Sequence, residues 1–271
     1  MQISENSNLI TRRLASCGPA GFIPFVTAGD PDRETSLSII LKLAELGADV
    51  IELGVPFSDP MADGPTIQRS SQRALAGGTR LQDVIDLAAD FRSRSNVPLV
   101  LFSYLNPVLR YGIERFAVAA QGAGIDGLLF TDVIEGEAAA LSRSFAERGV
   151  DLISLIAPTT SDERLKSVCE NALGFIYAVS RAGVTGARES TGDAAQILVN
   201  RARKFTDLPI AVGFGISTRE QIAEVWRYAD AAVVGSAIVA EIEKHPDDAV
   251  AAVDSFVRSL LPRFANEAPE I

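Results

Sequence analysis

GFIPFVTAGDPDRETSLSIILKLAELGADVIELG, residues 21 to 54, is the stretch that decides the architecture of this 271-residue chain. GFIPFVTA (21–28) is an apolar run of strand length, rich in β-branched and aromatic residues. RETSLSIILKLAELG (33–47) then sets Leu37, Ile40, Leu41 and Ala44 at helical spacing, with Gly47 as the stop. ADVIEL (48–53) returns to a strand-like run. Strand, helix, strand is the unit of a parallel sheet covered by helices.

The unit recurs along the whole chain. After the first two runs come VPLVLFSY (97–104), DGLLFTD (126–132), VDLISLIA (150–157), GFIYAVS (174–180), LPIAVGF (208–214) and ADAAVVG (229–235), making eight. Between them lie the helical stretches LQDVIDLAADFRSR, IERFAVAAQGAG, EAAALSRSFAERG, DERLKSVCENALG, DAAQILVNRARKF and TREQIAEVWRYA. Eight strands each followed by a helix in about 250 residues predict an α/β fold of the TIM (β/α)8 barrel type. A doubly wound sheet would also alternate, but the first strand is not followed by GxGxxG and no second-domain boundary is visible. The expectation is a single barrel domain over 1–271. SENSNLITRRLAS adds a helix before the first strand, placed to plug the barrel bottom.

Composition narrows the function classes. A formal net charge of −10, from 35 acidic and 25 basic side chains, repels phosphate backbones and anionic lipid, which argues against nucleic-acid and membrane roles. Any anionic ligand must be held locally. MQISENSNLITRR has no apolar segment behind a basic one, and no run of ~18 apolar residues occurs, so a cytoplasmic protein is expected. Cys17 and Cys169 offer neither a disulfide framework nor a metal spacing.

Barrel active sites are built at the carboxyl ends of the strands. Those ends supply Asp30, Glu52, Asp59, Asp63, Asn106, Asp132, Tyr177, Arg181, Gly213, Gly215, Gly235 and Ser236. Two loops exceed the usual ~2–6 residues, roughly 54–64 and 181–192. The second, RAGVTGARESTG, is glycine-rich and small enough in side chain to act as a lid. In ADVIEL, Glu52 shares a face with Val50, and whether that face looks into the barrel or toward the helices, its carboxylate is desolvated and raised in pKa. Asp63, among Pro and Gly in a loop, is expected to stay solvated and ionised. Two carboxylates in unlike environments suit an acid/base pair. Near the other end of the chain, GFGISTRE, with a capping box expected on Ser217 and Glu220, and VVGSAIVAEI bring glycines to helix starts, an anion-binding arrangement.

Other chemistries lack their parts. His245 is the only histidine and lies beyond the last strand, which removes Ser-His triads and histidine-ligated zinc. Lys42, Lys166, Lys204 and Lys244 all fall in helical segments, away from strand ends, so a Schiff-base lysine is missing. Trp226 reads as a packing residue.

Five blocks, FIPFVTAGDPD (22–32), IELGVPFSDPMADGPTIQ (51–68), APTTSDERL (157–165), SRAGVTGA (180–187) and AVGFGIS (211–217), together resemble the tryptophan synthase alpha chain family, over about residues 20 to 240. The resemblance implies aldol-type cleavage of indole-3-glycerol phosphate to indole and glyceraldehyde 3-phosphate, with Glu52 and Asp63 as the catalytic carboxylates. It also implies an indole pocket of Phe25, Tyr104, Leu129, Leu155 and Tyr177. Thr185 would touch Asp63, and Gly186, Phe214, Gly215, Gly235 and Ser236 would hold phosphate. No metal and no cofactor is implied in this chain; pyridoxal phosphate belongs to a beta chain partner, in an alpha2beta2 assembly. The chain departs from the family pattern after Asp132, at VIEGEA, and at the lid ending RESTG, which bears on lid and partner fit. Alternatives are a stand-alone lyase releasing free indole, another phosphate-binding barrel enzyme such as a sugar-phosphate isomerase or a magnesium-dependent lyase using Asp30, Glu52 and Asp132 as ligands, and a scaffold that only activates a partner.

Overall fold

The structure is a computed structural model and describes residues 8–133, 135–179, 191–213 and 215–264. The chain opens with α1 (Leu9–Ser16), β1 (Gly21–Thr27), α2 (Arg33–Glu45) and β2 (Ile51–Gly54). It continues through α3 (Pro65–Ala76), α4 (Leu81–Arg92), β3 (Leu99–Ser103), α5 (Leu105–Tyr111), α6 (Ile113–Gly122), β4 (Gly127–Phe130) and α7 (Glu135–Ala146). Next come β5 (Asp151–Leu152), β6 (Ser154–Ile156), α8 (Asp162–Asn171), β7 (Ile176–Val179), α9 (Thr191–Ala202), β8 (Ile210–Gly213) and α10 (Arg219–Val225). β9 (Ala231–Val234), α11 (Ser236–Lys244) and α12 (Ala249–Leu260) complete it.

All strand pairs are parallel, in the order β5-β4-β3-β2-β1-β9-β8-β7-β6. The fifth expected strand is therefore two segments. β5 pairs only with β4 and β6 only with β7, and the hand-over falls at Ile153, whose N–H donates to Leu128 O at 2.7 Å. Because β5 and β6 are halves of one barrel strand, the ring closes through Ile153 and the (β/α)8 barrel expected from the sequence is present.

Period-2 alternation splits the apolar residues into two layers. Ile51, Leu53, Leu99, Leu101 and their counterparts face the helices, whereas Ile23, Val50, Val100, Leu129, Ile153, Phe175 and Tyr177 fill the interior. Ile10 and Leu14 of α1 are fully buried in that interior cluster, so the helix does plug the floor. Thr11 Oγ1 donates to Gly174 O at 2.7 Å, and Asn8 caps the helix by accepting from Ile10 N. At ~25 cal/mol per Å² of apolar surface removed from water, two such side chains stabilise the plug by a few kcal/mol.

The helical readings hold with three additions and one shift. α3 and α5 lie in stretches to which the sequence reading assigns no element, and α12 follows the last barrel helix. Pro65 at the first position of α3 is compatible with helix because the N–H it lacks would have had no partner. The capping box of α10 sits one residue later than expected: Thr218 Oγ1 accepts from Gln221 N, and Gln221 Oε1 accepts from Thr218 N. Gln221 serves where Glu220 was expected because the N-cap is Thr218, whose backbone is extended, and the third helical residue after it is Gln221. Lys204 lies in the turn after α9, and Trp226 ends α10, donating its indole N–H to Gly21 O at 2.9 Å. No helix among the described residues is long and apolar enough to cross a membrane.

Candidate active site

A cavity of about 250 Å³ opens at the carboxyl ends of the strands and brings Glu52 and Asp63 to one space. Phe25, Phe102, Tyr177 and Val233 form its inner walls. Gly215, Gly235 and Ser236 form one margin, and Gly64 with the first turn of α3, Pro65 to Ile67, forms another.

Glu52 reaches the interior because β2 alternates: its register partners are Phe25 of β1 and Val100 of β3, both interior residues. The side chain is 1% exposed, and Oε1 has no hydrogen-bond partner among the described residues. Burial pushes its pKa up to about 8. The carboxyl is therefore mostly protonated at neutral pH. Beside it the Tyr177 phenol is raised well above its ordinary value, by burial first and then by the charge on Glu52. Gly213 makes this arrangement possible, since a Cβ there would lie 2.0 Å from the Tyr177 hydroxyl oxygen.

Asp63 departs from expectation. It is partly buried rather than solvated, and desolvation raises its pKa to about 6 against the lowering effect of the Tyr104 hydroxyl. The loop closes down because Phe57 lies over Tyr104, ring centroids 4.9 Å apart, and Ala62 N donates to Tyr104 Oη at 2.8 Å. Gln68 Nε2 of α3 donates to Asp63 O at 2.9 Å, which fixes the backbone on the helix side. Asp63 remains the ionised member of the pair at pH 7, and Glu52 carries the proton.

The other expected site residues divide. Phe25, Tyr177, Gly215, Gly235 and Ser236 line the cavity with the two carboxylates. Tyr104 lines a narrow cleft shared with Asp63 and Phe25. Leu129 is fully buried in the interior cluster and Leu155 is partly buried against it; neither lines the cavity. Thr185, Gly186, Phe214, Arg181 and most of the 181–192 lid fall outside the described residues, although Thr191 and Gly192 already belong to α9. Gly215 has φ +77° and open space where a Cβ would be, so it is a glycine-requiring turn open to a ligand. α11 begins at Ser236, directing its unpaired N–H groups and the positive end of its dipole toward that margin.

Phe102, Ile67, Thr66 and Val233 escaped the sequence reading. Phe102 was legible in principle, two residues after Val100 on the same strand face, and its ring meets Phe25 edge-on at 5.4 Å. Thr66 and Ile67 depended on seeing α3.

The acidic residues of the metal-site alternative do not converge. Arg73 takes both oxygens of Asp30, at 2.8 Å each, and Asp132 Oδ1 accepts from Leu105 N at 2.8 Å, capping α5. Among the described residues no group of three or more His, Cys, Asp or Glu is disposed to hold a metal ion.

A family model, "Tryptophan synthase alpha chain", matches residues 12–266. The chain belongs to the tryptophan synthase alpha chain family. The tryptophan synthase alpha chain of Phenylobacterium zucineum is 51% identical over 264 residues, covering 94% of this chain and 95% of that one. That of Caulobacter sp. strain K31 is 52% identical over 240 residues, 86% of each. Among solved structures, Mycobacterium tuberculosis tryptophan synthase superposes with a TM-score of 0.86 at 36% identity, covering 94% of this chain and 98% of that one. The tryptophan synthase α2β2 complex of Pyrococcus furiosus gives 0.84 at 40% identity, covering 90% and 98%. Alpha chain membership gives the cavity a context, since Glu52, Asp63 and the glycine margin all lie within the matched residues.

Proposed function

We propose that this chain is a carbon–carbon lyase of tryptophan biosynthesis that cleaves indole-3-glycerol phosphate into indole and glyceraldehyde 3-phosphate. The single observation that carries the chemistry is one cavity holding a buried, protonated Glu52 and an ionised Asp63, with a glycine-lined helix start at its margin. Glu52 gives its proton to indole C3, where the C2–C3 π pair forms the new C–H bond and leaves positive charge on the ring nitrogen; the bond from C3 to the glycerol chain then breaks, and its electron pair restores the ring double bond. The same carboxylate then takes the proton of the adjacent chain hydroxyl, whose carbon becomes the aldehyde. Asp63 offsets the positive charge that develops on the ring N–H. Phe25, Phe102 and Tyr177 exclude water around the ring, and the start of α11 receives the phosphate. Thr185, Gly186 and Phe214 are proposed as further substrate contacts on the strength of the family pattern, whereas Leu129 and Leu155, which do not line the cavity, back its walls from the interior cluster.

This chemistry uses no cofactor in the chain itself. The partner is a tryptophan synthase beta chain carrying pyridoxal phosphate, in an alpha2beta2 assembly with a cytoplasmic location. The test is to incubate the purified chain with indole-3-glycerol phosphate, measure both products, and titrate in a cognate beta chain. Slow cleavage alone and a rise of more than about tenfold on titration, worth ~1.4 kcal/mol of barrier, are expected. Absence of both products overturns the reading. Full activity in the chain alone supports a stand-alone lyase instead.

A further inference from the structure

α3 and α11 both start at the cavity, one just after Asp63 and the other at Ser236, and they are joined again further along their length. Arg69 and Arg73, one turn apart on the same face of α3, both reach Glu243 of α11. Arg69 meets it as a fork, Nε to Oε1 and Nη2 to Oε2, each 2.7 Å, and Arg73 Nη1 adds a third contact to Oε1 at 2.7 Å. The other nitrogens of Arg73 form a second fork on Asp30, which follows β1 and is 1% exposed. A chain of alternating charge thus ends on a buried post of the barrel. Bidentate guanidinium–carboxylate pairs fix orientation as well as distance. The Arg69 fork above all, assisted by both guanidinium charges, holds the Glu243 carboxyl down at about 2, so the tie is ionised wherever the cavity can work.

Glu243 lies seven residues beyond Ser236, about 10 Å along the helix axis, too far to touch anything in the cavity. We propose that Glu243 is a positioning residue: by tying α11 to Arg69 and Arg73 of α3, it sets the spacing between the phosphate margin at Ser236 and the Asp63 end of the cavity. This rests on the reading of the cavity given above. A substrate that spans both ends feels that spacing, whereas a ligand occupying one end does not. Partly exposed ion pairs add little to stability, so the effect belongs to geometry rather than to folding.

The experiment compares the parent full-length chain with Glu243→Ala, Arg69→Met and Glu243→Asp. Steady-state cleavage of indole-3-glycerol phosphate is measured alongside separate binding of indole and of glycerol 3-phosphate, with thermal melting of each sample. For the first two variants kcat/KM is expected to fall about 10- to 100-fold, the scale of a misplacement near 1 Å, while each half-ligand binds within about threefold of the parent and Tm holds. Glu243→Asp, which keeps the charge on a shorter arm, should recover part of the loss. Cleavage within twofold of the parent overturns the proposal. So does a parallel weakening of both half-ligands with a lower Tm, which would mark general loosening. A parent chain that releases no indole, with or without a beta chain, fails the reading of the cavity itself.

Discussion

At the amino-terminal ends of the strands, Asp49, Asp126 and Asp230 accept the N–H groups of Phe22, Leu99 and Ile210, at 2.9, 2.9 and 2.6 Å. Each also carries an arginine: Arg13, Arg92 and Arg203 respectively. At the carboxyl ends, Glu52 is more deeply buried than any of these, yet its Oε1 is unbonded among the described residues. Burial raises Asp126 too, but there the Leu99 N–H and the Arg92 charge oppose it. The floor surrounds these three carboxylates with donors, whereas at the mouth, where Asp30 and Asp132 also have theirs, Glu52 Oε1 is left without one. The difference separates groups that hold strands in register from groups kept reactive, because a desolvated carboxyl without donors sits near the pH at which it can exchange a proton.

The sharpest way to break this contrast is at the mouth. Glu52→Gln and Asp63→Asn are each expected to cut indole-3-glycerol phosphate cleavage by at least ~10²-fold while Tm stays level or rises, since neither amide has a charge to desolvate. Steady-state kinetics and calorimetry on the same samples check both halves, and near-normal turnover at either position removes the proposed pair. At the floor the pattern inverts. Asp126→Ala leaves the Leu99 N–H without its acceptor and removes the ion pair to Arg92, which keeps the carbonyls of Ser95 and Gly124, so urea unfolding should show a loss of about 1–3 kcal/mol with activity per folded molecule retained.

Titration sharpens the contrast at a finer scale. Cleavage should fall about tenfold per pH unit below about 6, where Asp63 takes up a proton, and above about 8, where Glu52 loses its own. A pH–rate profile flat across those limits would separate the measured chemistry from these two groups. The smallest effect tests the exception on the floor. Asp151, first residue of β5, is buried with Oδ2 unbonded among the described residues, and burial raises it from 3.8 to about 6. A folded pKa above the unfolded one means its favourable contribution is complete below about 4 and is lost as pH rises through about 6. Asp151→Asn should therefore gain ~1–2 kcal/mol at pH 7.5 and nothing at pH 4, by chemical denaturation at both pH values.

The barrel was legible because its eight apolar runs have strand length and its helices carry clear spacing, signals that survive without knowledge of contacts. The floor plug was legible for the same reason. α3 and α5 were not, since Gly64-Pro65 and Asn106-Pro107 signal a break in either direction: proline ends one helix and opens another. Missing α3 also hid Thr66, Ile67 and the Arg69–Glu243 tie, which joins residues 174 apart in sequence. Glu52 was recognisable from its place at a strand end, where either face of the strand desolvates it. The raised pKa of Asp63 was not, because it comes from Phe57 and Tyr104 folding the loop inward, a tertiary event that turn propensity does not encode.

The plug that seals the floor has a consequence for the order in which the molecule is made. α1 leaves the ribosome before every strand of the barrel, but the carbonyl it docks on, Gly174, is 163 residues behind Thr11. At ~5–20 residues per second its seat does not exist for about 10 to 30 s. An isolated helix of eight residues is too short to persist in water. Ile10 and Leu14 must therefore travel as a loose, sticky leader while the first strands assemble, and closure of the floor becomes a late event of synthesis that chaperones have time to supervise.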